Sequence, residues 1–279
     1  MTGGTSGLGF EASQALAMDK NNHLVLLSRK TSHEEIWKLE FQQRNGAQAS
    51  NVEFISCDLS SLLSLKRAIR EIKSRFEHID VLLNNAGLWH KRFTETTDGI
   101  EETFHVNLLS HYILLAELKP LLQKSEDARV VNTSSGLHQG TIVLTDPEYR
   151  NSFSGFKSYR QSKLGMMLLS RALAKKEDWK GISFYSQHPG MVSTNLGQNI
   201  GGISNTIFKF MGIHPLKGAQ NLIHLSSAPK EELTNGEYYY KTMVKKASTQ
   251  KSYDLSLANS MLEVLEDYKV KSYDPIQLD

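Results

Sequence analysis

The sequence predicts an α/β fold, a doubly wound parallel sheet in a single domain, on three observations. Short β-branched or leucine-rich runs alternate with amphipathic helical stretches along the chain. A glycine-rich turn, Thr2-Gly-Gly-Thr-Ser-Gly-Leu-Gly9, stands at the start and leads into a helical stretch. The 279 residues suffice for one large core, and no linker, repeat or low-complexity segment divides them, so residues 1–279 read as one unit.

The expected strands are Leu24–Leu27, Val52–Ser56, Ile79–Leu83, Arg129–Thr133, Ile182–Gln187 and Glu237–Tyr240. The clearest helix carries Leu62, Leu65, Ile69, Ile72 and Phe76 at alternating spacings of three and four, which makes one apolar stripe. Others run from about Gly99 to Gln123 and from about Tyr159 to Lys176. Strand–helix alternation implies parallel βαβ units with right-handed crossovers, and such sheets bind ligands at the carboxyl ends of their strands.

Bulk composition removes several classes. A net charge of +2 offers no electrostatic footprint for nucleic acid or a membrane surface. The single cysteine, Cys57, excludes an intramolecular disulfide and fits a reducing compartment. No apolar run reaches the roughly 18 residues of a membrane span. A cytoplasmic protein is expected from the sequence as it stands, with membrane association left open should a segment precede Met1. The ten histidines form no metal-binding spacing, so no metal is expected. Asn132-Thr-Ser134 is a formal glycosylation sequon, but it falls in an expected buried strand.

In the glycine turn, Gly3, Gly7 and Gly9 allow positive φ and close backbone approach, so the chain can bend around a pyrophosphate at the positive end of the helix that follows. Ser6 stands where the epimerase-type fingerprint needs glycine, which argues against that class. The second half of this unit ends in Ser28-Arg29-Lys30, with no carboxylate to hold a ribose 2′-hydroxyl. Arg29, with Lys30, is suited to a 2′-phosphate instead, which favours NADP(H) over NAD(H) without excluding the latter; the alternative is a solvated basic loop.

Tyr159 and Lys163 lie four residues apart at the expected start of a helix and so share one face. A free phenol, with a pKa of about 10, is a poor acid or base near neutrality, and a neighbouring ammonium lowers it. Arg129-Val-Val-Asn-Thr-Ser-Ser135 reads as a buried strand ending in two hydroxyls at the ligand edge; Ser135 is placed to polarise a carbonyl oxygen, or to cap a turn. Asn84-Asn-Ala-Gly87 ends another strand at the same edge. Asn107 sits inside a helical pattern, where asparagine is a poor helix former; it reads either as a kink with an ordered water or as an exposed polar residue.

These motifs, in this order, resemble the short-chain dehydrogenases/reductases, a Rossmann-type family, over essentially the whole chain. The match takes in the glycine turn, Asp58 after the expected strand Val52–Ser56, Asn84–Gly87, Asn107, Ser135, Tyr159-x-x-x-Lys163 and His188-Pro-Gly-Met-Val-Ser-Thr194. The resemblance implies a catalytic tetrad of Asn107, Ser135, Tyr159 and Lys163. It implies cofactor contacts from Gly3, Thr5, Ser6, Gly7, Leu8, Gly9, Arg29, Asp58, Leu59, Asn85, Ala86, Gly87, Tyr159, Lys163, Pro189, Val192 and Thr194. Asp58 would meet the adenine, Pro189–Thr194 the nicotinamide amide, and Asn107 would support a proton relay through water. Ser135 and Tyr159 are 24 positions apart, roughly double the family's usual interval, and the flanking Ser134–His138 and Ser162–Leu164 look like the retinol-dehydrogenase-like branch, as do Asn235–Tyr238 and a late helix Leu255–Tyr268. Gly165-Met166 departs from that branch, which often has Ala-Asn there.

In that family a strand precedes the glycine turn in mid-sheet, and Met1 stands where its last apolar residue would be. The chain as it stands is therefore expected to fold poorly and to bind NADP(H) weakly. His188 is read as structural, Tyr238–Tyr240 as strand, and residues 196–216 as either a substrate lid or a packing helix. The expected activity is carbonyl–alcohol interconversion on an apolar small molecule, with retinoid, steroid and other lipid-like carbonyls as candidates. A homo-oligomer stays open. The rival is a non-catalytic nucleotide- or partner-binding protein, favoured by the missing strand and disfavoured by the intact tetrad.

Overall fold

The computed structural model describes residues 1–29, 31–190, 215–247 and 249–278. Strands β1 (Leu24–Ser28) and β2 (Val52–Ser56) pair in parallel. Strands β3 (Val81–Asn84), β4 (Arg129–Thr133), β5 (Ser183–Gln187) and β6 (Tyr238–Tyr240) form a second parallel run, closed at its edge by antiparallel β7 (Met243–Val244). The six expected strands are all present, within two residues at their ends. Strand β7 is additional, and two residues are too few to show a period. Lys241 and Thr242, both at positive φ, make its tight turn.

Between β1 and β3 lie Met1 and Thr2. The Leu27 N–H donates to the Met1 carbonyl at 2.9 Å, and the Met1 nitrogen donates to the Val25 carbonyl at 2.7 Å. The Thr2 N–H donates to the Leu83 carbonyl at 3.0 Å. Met1 thus occupies the mid-sheet place expected of it, and among the described residues the two parts of the sheet meet only over this short bridge.

The helices are α1 (Gly7–Met18), α2 (Thr31–Asn45), α3 (Leu62–Arg75), α4, α5 (Gly155–Leu173), α6 (Pro215–Ser227) and α7 (Leu255–Tyr268). Helix α4 runs unbroken through Glu102–Phe104, a π-helical turn His105–Leu109, and Ser110–Leu122. Successive strand residues face opposite ways. Leu82, Val130 and Phe184 enter one core with Leu65 and Ile69 of α3, Ile113 of α4, Leu168 of α5 and Met261 of α7. Leu83, Val131 and Tyr185 enter the other, with Leu16 of α1, Trp37 of α2 and Leu222 of α6. Burial on both faces explains why these strands read as continuous apolar runs rather than alternating ones.

Two helix boundaries differ from expectation. Helix α5 starts at Gly155, so Tyr159 lies in its second turn rather than at its beginning. Extended Ser154 precedes it, and a side chain at Gly155 would fall 1.9 Å from the His90 carbonyl oxygen, so a residue that reads as a breaker is required by close packing. Helix α4 is not the regular helix expected over Gly99–Gln123, because of its π turn. Among the described residues no helix is long and apolar enough to cross a membrane.

Candidate active site

The phosphate-binding candidate forms where Thr2–Gly9 crosses the end of β3. Gly3 has φ +63°, and a Cβ there would sit 2.8 Å from Ala86 Cα; one at Gly9 would sit 2.0 Å from the Gly3 oxygen. The turn can therefore lie directly on Asn85–Ala86 only with glycine at both places. Asn85 Nδ2 donates to the Gly3 carbonyl at 3.1 Å, and the Thr2 hydroxyl accepts the Asn85 and Ala86 N–H groups at 2.9 and 3.0 Å. Thr5, Ser6, Gly7 and Leu8 follow at the start of α1, with the free N–H groups of a helix terminus.

Arg29 follows β1 and lines a cavity of about 520 Å³ with Ser28, Ser32, Glu34, Phe54 and Ser56. Glu34 is the one carboxylate in that wall, and it is held by Lys38 at 2.5 Å. Lys30 lies outside the described residues. Asp58 follows β2; its carboxylate accepts the Ser60 N–H and hydroxyl at 3.0 and 2.8 Å, which fixes the loop, and buried Leu59 next to it offers its carbonyl to the Ser110 hydroxyl at 2.6 Å.

The candidate catalytic groups converge at the carboxyl ends of β3 and β4. Tyr159 is buried on α5, and the Ser135 side chain just beyond β4 is close enough to influence the ionisation of its hydroxyl. Lys163, one turn along, donates from Nζ to the Thr133 carbonyl at 3.0 Å. Ser134 turns away and donates to the Lys163 carbonyl at 2.7 Å, so the two adjacent serines have different jobs. Asn107 lies in the π turn and is fully buried, which removes the exposed reading. Its Oδ1 accepts the Leu88 N–H at 2.8 Å, and its Nδ2 donates to the Leu88 carbonyl at 2.9 Å and the Ser162 hydroxyl at 3.0 Å. Gly87 lies against both partners: a Cβ there would be 3.0 Å from Lys163 Nζ and 3.3 Å from Asn107 Oδ1.

Electrostatics qualify one expectation. Burial lowers Lys163 to about 8 and raises Tyr159, and the one opposing influence on the phenol is the neighbouring Ser135 side chain. Lys163 Nζ stands 5.8 Å from the tyrosine ring centre and is engaged with Thr133. The ammonium therefore does not by itself lower this phenol in the protein as described.

His188 follows β5. Its Nδ1 accepts the Gly136 N–H at 3.0 Å, and burial lowers its pKa to about 4, so it holds the loop after Ser135 as a neutral structural group. Pro189 lines a second cavity, of about 430 Å³, with Lys217, Asn221 and Tyr240. Val192 and Thr194 lie outside the described residues, as does the 196–216 segment except for Pro215 and Leu216, which open α6.

The long interval before Tyr159 is pinned to the helix that carries it. Gln161 accepts the Val143 N–H at 2.6 Å and donates to the Pro147 carbonyl at 2.7 Å. Glu101 is fully buried at the start of α4, accepts the Thr103 and Phe104 N–H groups, and takes a bond from Ser158, the residue before Tyr159, at 3.0 Å. Asn132, read as an unglycosylated strand residue, is buried and bonded to Asn84 and Ser170.

Reading by residue type overlooked three members. Trp89 stacks on the Tyr159 ring at 5.0 Å and 17°. Thr2 and His111 join the turn to Asn107. The available signals were the place of Trp89 in the same loop as Gly87 and of His111 one helical turn beyond Asn107.

Residues 1–202 match the family model described as short chain dehydrogenase. Retinol dehydrogenase 14 of Mus musculus is 33% identical over 257 residues, covering 86% of this chain and 76% of its own. Short-chain dehydrogenase TIC 32 B, chloroplastic, of Brassica napus is 28% identical, covering 99% of this chain and 88% of its own. A crystal structure of an uncharacterized protein from Mycobacterium Paratuberculosis superposes with a TM-score of 0.74 at 25% identity, covering 99% of this chain and 93% of its own. The NADPH-bound carbonyl reductase from chicken fatty liver shares the fold, with a TM-score of 0.62 at 22% identity over 85% of this chain and 93% of its own. This chain belongs to the short-chain dehydrogenase/reductase family, on its retinol-dehydrogenase-like branch. It is, accordingly, an oxidoreductase with a Rossmann-type fold.

Proposed function

We propose that the chain is an NADP(H)-dependent oxidoreductase that interconverts a carbonyl and an alcohol on an apolar small molecule. The observation that carries this reading is the convergence of Ser135, Tyr159, Lys163 and Asn107 at one sheet edge, next to a glycine turn that tolerates no side chain at Gly3 or Gly9. That cradle suits a dinucleotide. Gly3–Gly9 would take the pyrophosphate, Arg29 the 2′-phosphate, Asp58 and Leu59 the adenine side, Asn85–Gly87 the middle, and Pro189, Val192 and Thr194 the amide end.

A bound NADP(H) supplies or accepts the hydride. In the reducing direction Tyr159 gives its hydroxyl proton to the carbonyl oxygen, and Ser135 donates a hydrogen bond that stabilises the charge developing there. Lys163 holds positive charge beneath Tyr159, and its Thr133 bond sets its direction. Asn107 fixes Leu88 and so the wall beside Gly87. Trp89, with Phe156 packed against it, supplies apolar surface against the phenol, which fits an apolar substrate.

The test is cofactor absorbance, with NADPH and NADH in parallel, against apolar aldehydes and ketones (retinoid, steroid and long-chain) and polar sugars of the same functional group. Turnover with NADPH and apolar carbonyls is the expected outcome. Equal rates with NADH would overturn the cofactor assignment, and cofactor binding without turnover on any carbonyl would favour the non-catalytic alternative.

A further inference from the structure

His111 is fully buried, and each of its ring nitrogens has a partner. Nε2 lies 3.0 Å from the Thr2 hydroxyl, and Nδ1 lies 3.2 Å from the Asn107 carbonyl oxygen. The Thr2 oxygen already accepts two backbone N–H groups, from Asn85 and Ala86. A hydroxyl oxygen has two lone pairs and one hydrogen, so that hydrogen is what Thr2 has left to offer. The Leu83 carbonyl, at 3.4 Å, is the longer alternative for it. A hydrogen on Nε2 would be a third donor aimed at Thr2, and it would leave a bare Nδ1 facing a carbonyl oxygen, lone pair against lone pair. The reverse arrangement satisfies every atom: Thr2 donates to Nε2, and Nδ1–H donates to Asn107. Burial, with the Lys163 ammonium adding repulsion, holds the ring neutral.

We propose that His111, in its Nδ1–H form, is a positioning residue that couples the glycine turn to Asn107. One imidazole ties Thr2 directly to Asn107, the two residues that hold opposite ends of the Asn85–Leu88 segment. Its Nε2 end completes the Thr2 hydroxyl that carries Asn85 and Ala86 against the turn. Its Nδ1 end holds the carbonyl of the π-turn residue whose side chain holds Leu88, next to the Gly87 that lies against Lys163. Given the dehydrogenase reading above, on which its catalytic consequence rests, the first end governs cofactor affinity and the second governs turnover.

The two ends can be separated by substitution. In His111→Asn the amide nitrogen falls near the position of Nδ1 and keeps the Asn107 bond while losing Thr2. In His111→Gln the longer amide reaches the position of Nε2 and keeps Thr2 while losing Asn107. His111→Leu loses both, and is expected to lower kcat and raise the NADPH KM, each by about 3–10-fold for one hydrogen bond. Asn should restore kcat and leave KM high; Gln should restore KM and leave kcat low. A purely structural histidine would lower the melting temperature in all three without this split. A folded Leu variant with both constants at parental values, or Asn and Gln variants that behave alike, would overturn the proposal.

Should the variants fail to fold, ¹⁵N-histidine NMR of the parent at pH 7 decides. A ring with hydrogen on Nδ1 and a bare Nε2 is expected at His111, and an Nε2–H ring or an imidazolium would overturn the assignment. A parent without turnover would defeat the dehydrogenase reading instead, leaving the tautomer and the NADPH affinity of the variants to test this one.

Discussion

β1 and β2 carry the proposed nucleotide side of the site, and β3 to β7 its proposed catalytic side; the two regions are held in different ways. β4 is paired along its length on both sides, with β3 and β5. β1 is paired along its length with β2, but on its inner side it meets Met1 and Thr2. The proposed reacting groups thus stand on the densely paired region, while the glycine turn rests on a joint made by the Thr2 backbone and hydroxyl. The contrast implies that binding and chemistry can be perturbed separately, and that the joint is the weaker element.

The largest expected effect is in backbone protection. Amide exchange in β1, which is paired along its length on one side, should be much faster than in β4, which is paired along its length on both. Equal exchange in β1 and β4 would break the comparison.

On the catalytic side, Tyr159→Phe removes only the phenolic O–H. Turnover should fall about 10²–10⁴-fold, the range for a lost general acid, while NADPH affinity holds. Turnover close to the parent's would remove Tyr159 from the mechanism.

Acid should attack the catalytic side first. Burial lowers His105 to about 4, His111 to about 3 and His188 to about 4, so each is neutral in the folded chain. Their contribution is complete above the unfolded value of about 6.5 and is lost as pH falls from there toward 4, at about 1.4 kcal/mol per group and pH unit. Stability followed by thermal melts should decline steeply over that window. A flat profile from pH 7 to 4.5 would show that these rings are protonated in the folded protein.

Arg29→Ala is the smallest and most selective change. Loss of a charge-assisted contact worth about 1.5–3 kcal/mol should weaken NADPH by roughly 10–100-fold and leave NADH nearly unchanged, measured by titration. A parallel loss for both cofactors would place Arg29 outside the 2′-phosphate pocket.

Strands and tetrad candidates were legible because their signals are local. Runs such as Arg129–Thr133 and the stripe on α3 follow from burial alone, and Tyr159 and Lys163 share a face by spacing. What escaped depends on contacts distant in sequence. Gly155 begins a helix because His90 approaches it from another loop. The π turn follows no periodicity, and Asn107 is buried through its pairing with Leu88 rather than by helix propensity. The rise of the Tyr159 pKa runs against the i,i+4 reading because desolvation outweighs a cation whose hydrogen bond points elsewhere.

The π turn also makes α4 unevenly tolerant of a change in length. Between Phe104 and Ser110 the chain holds one residue more than regular α-helical bonding needs, as the Ser110 N–H bond to the His105 carbonyl shows. Excising the extra residue would let the turn close into regular helix, with Phe104, Ile113 and Leu114 keeping the faces on which they pack. In the regular turns that follow, the same deletion would rotate everything beyond it by about 100° and pull buried side chains out of their packing. A single-residue change of length is therefore absorbed at the π turn and rejected by the helix beyond it.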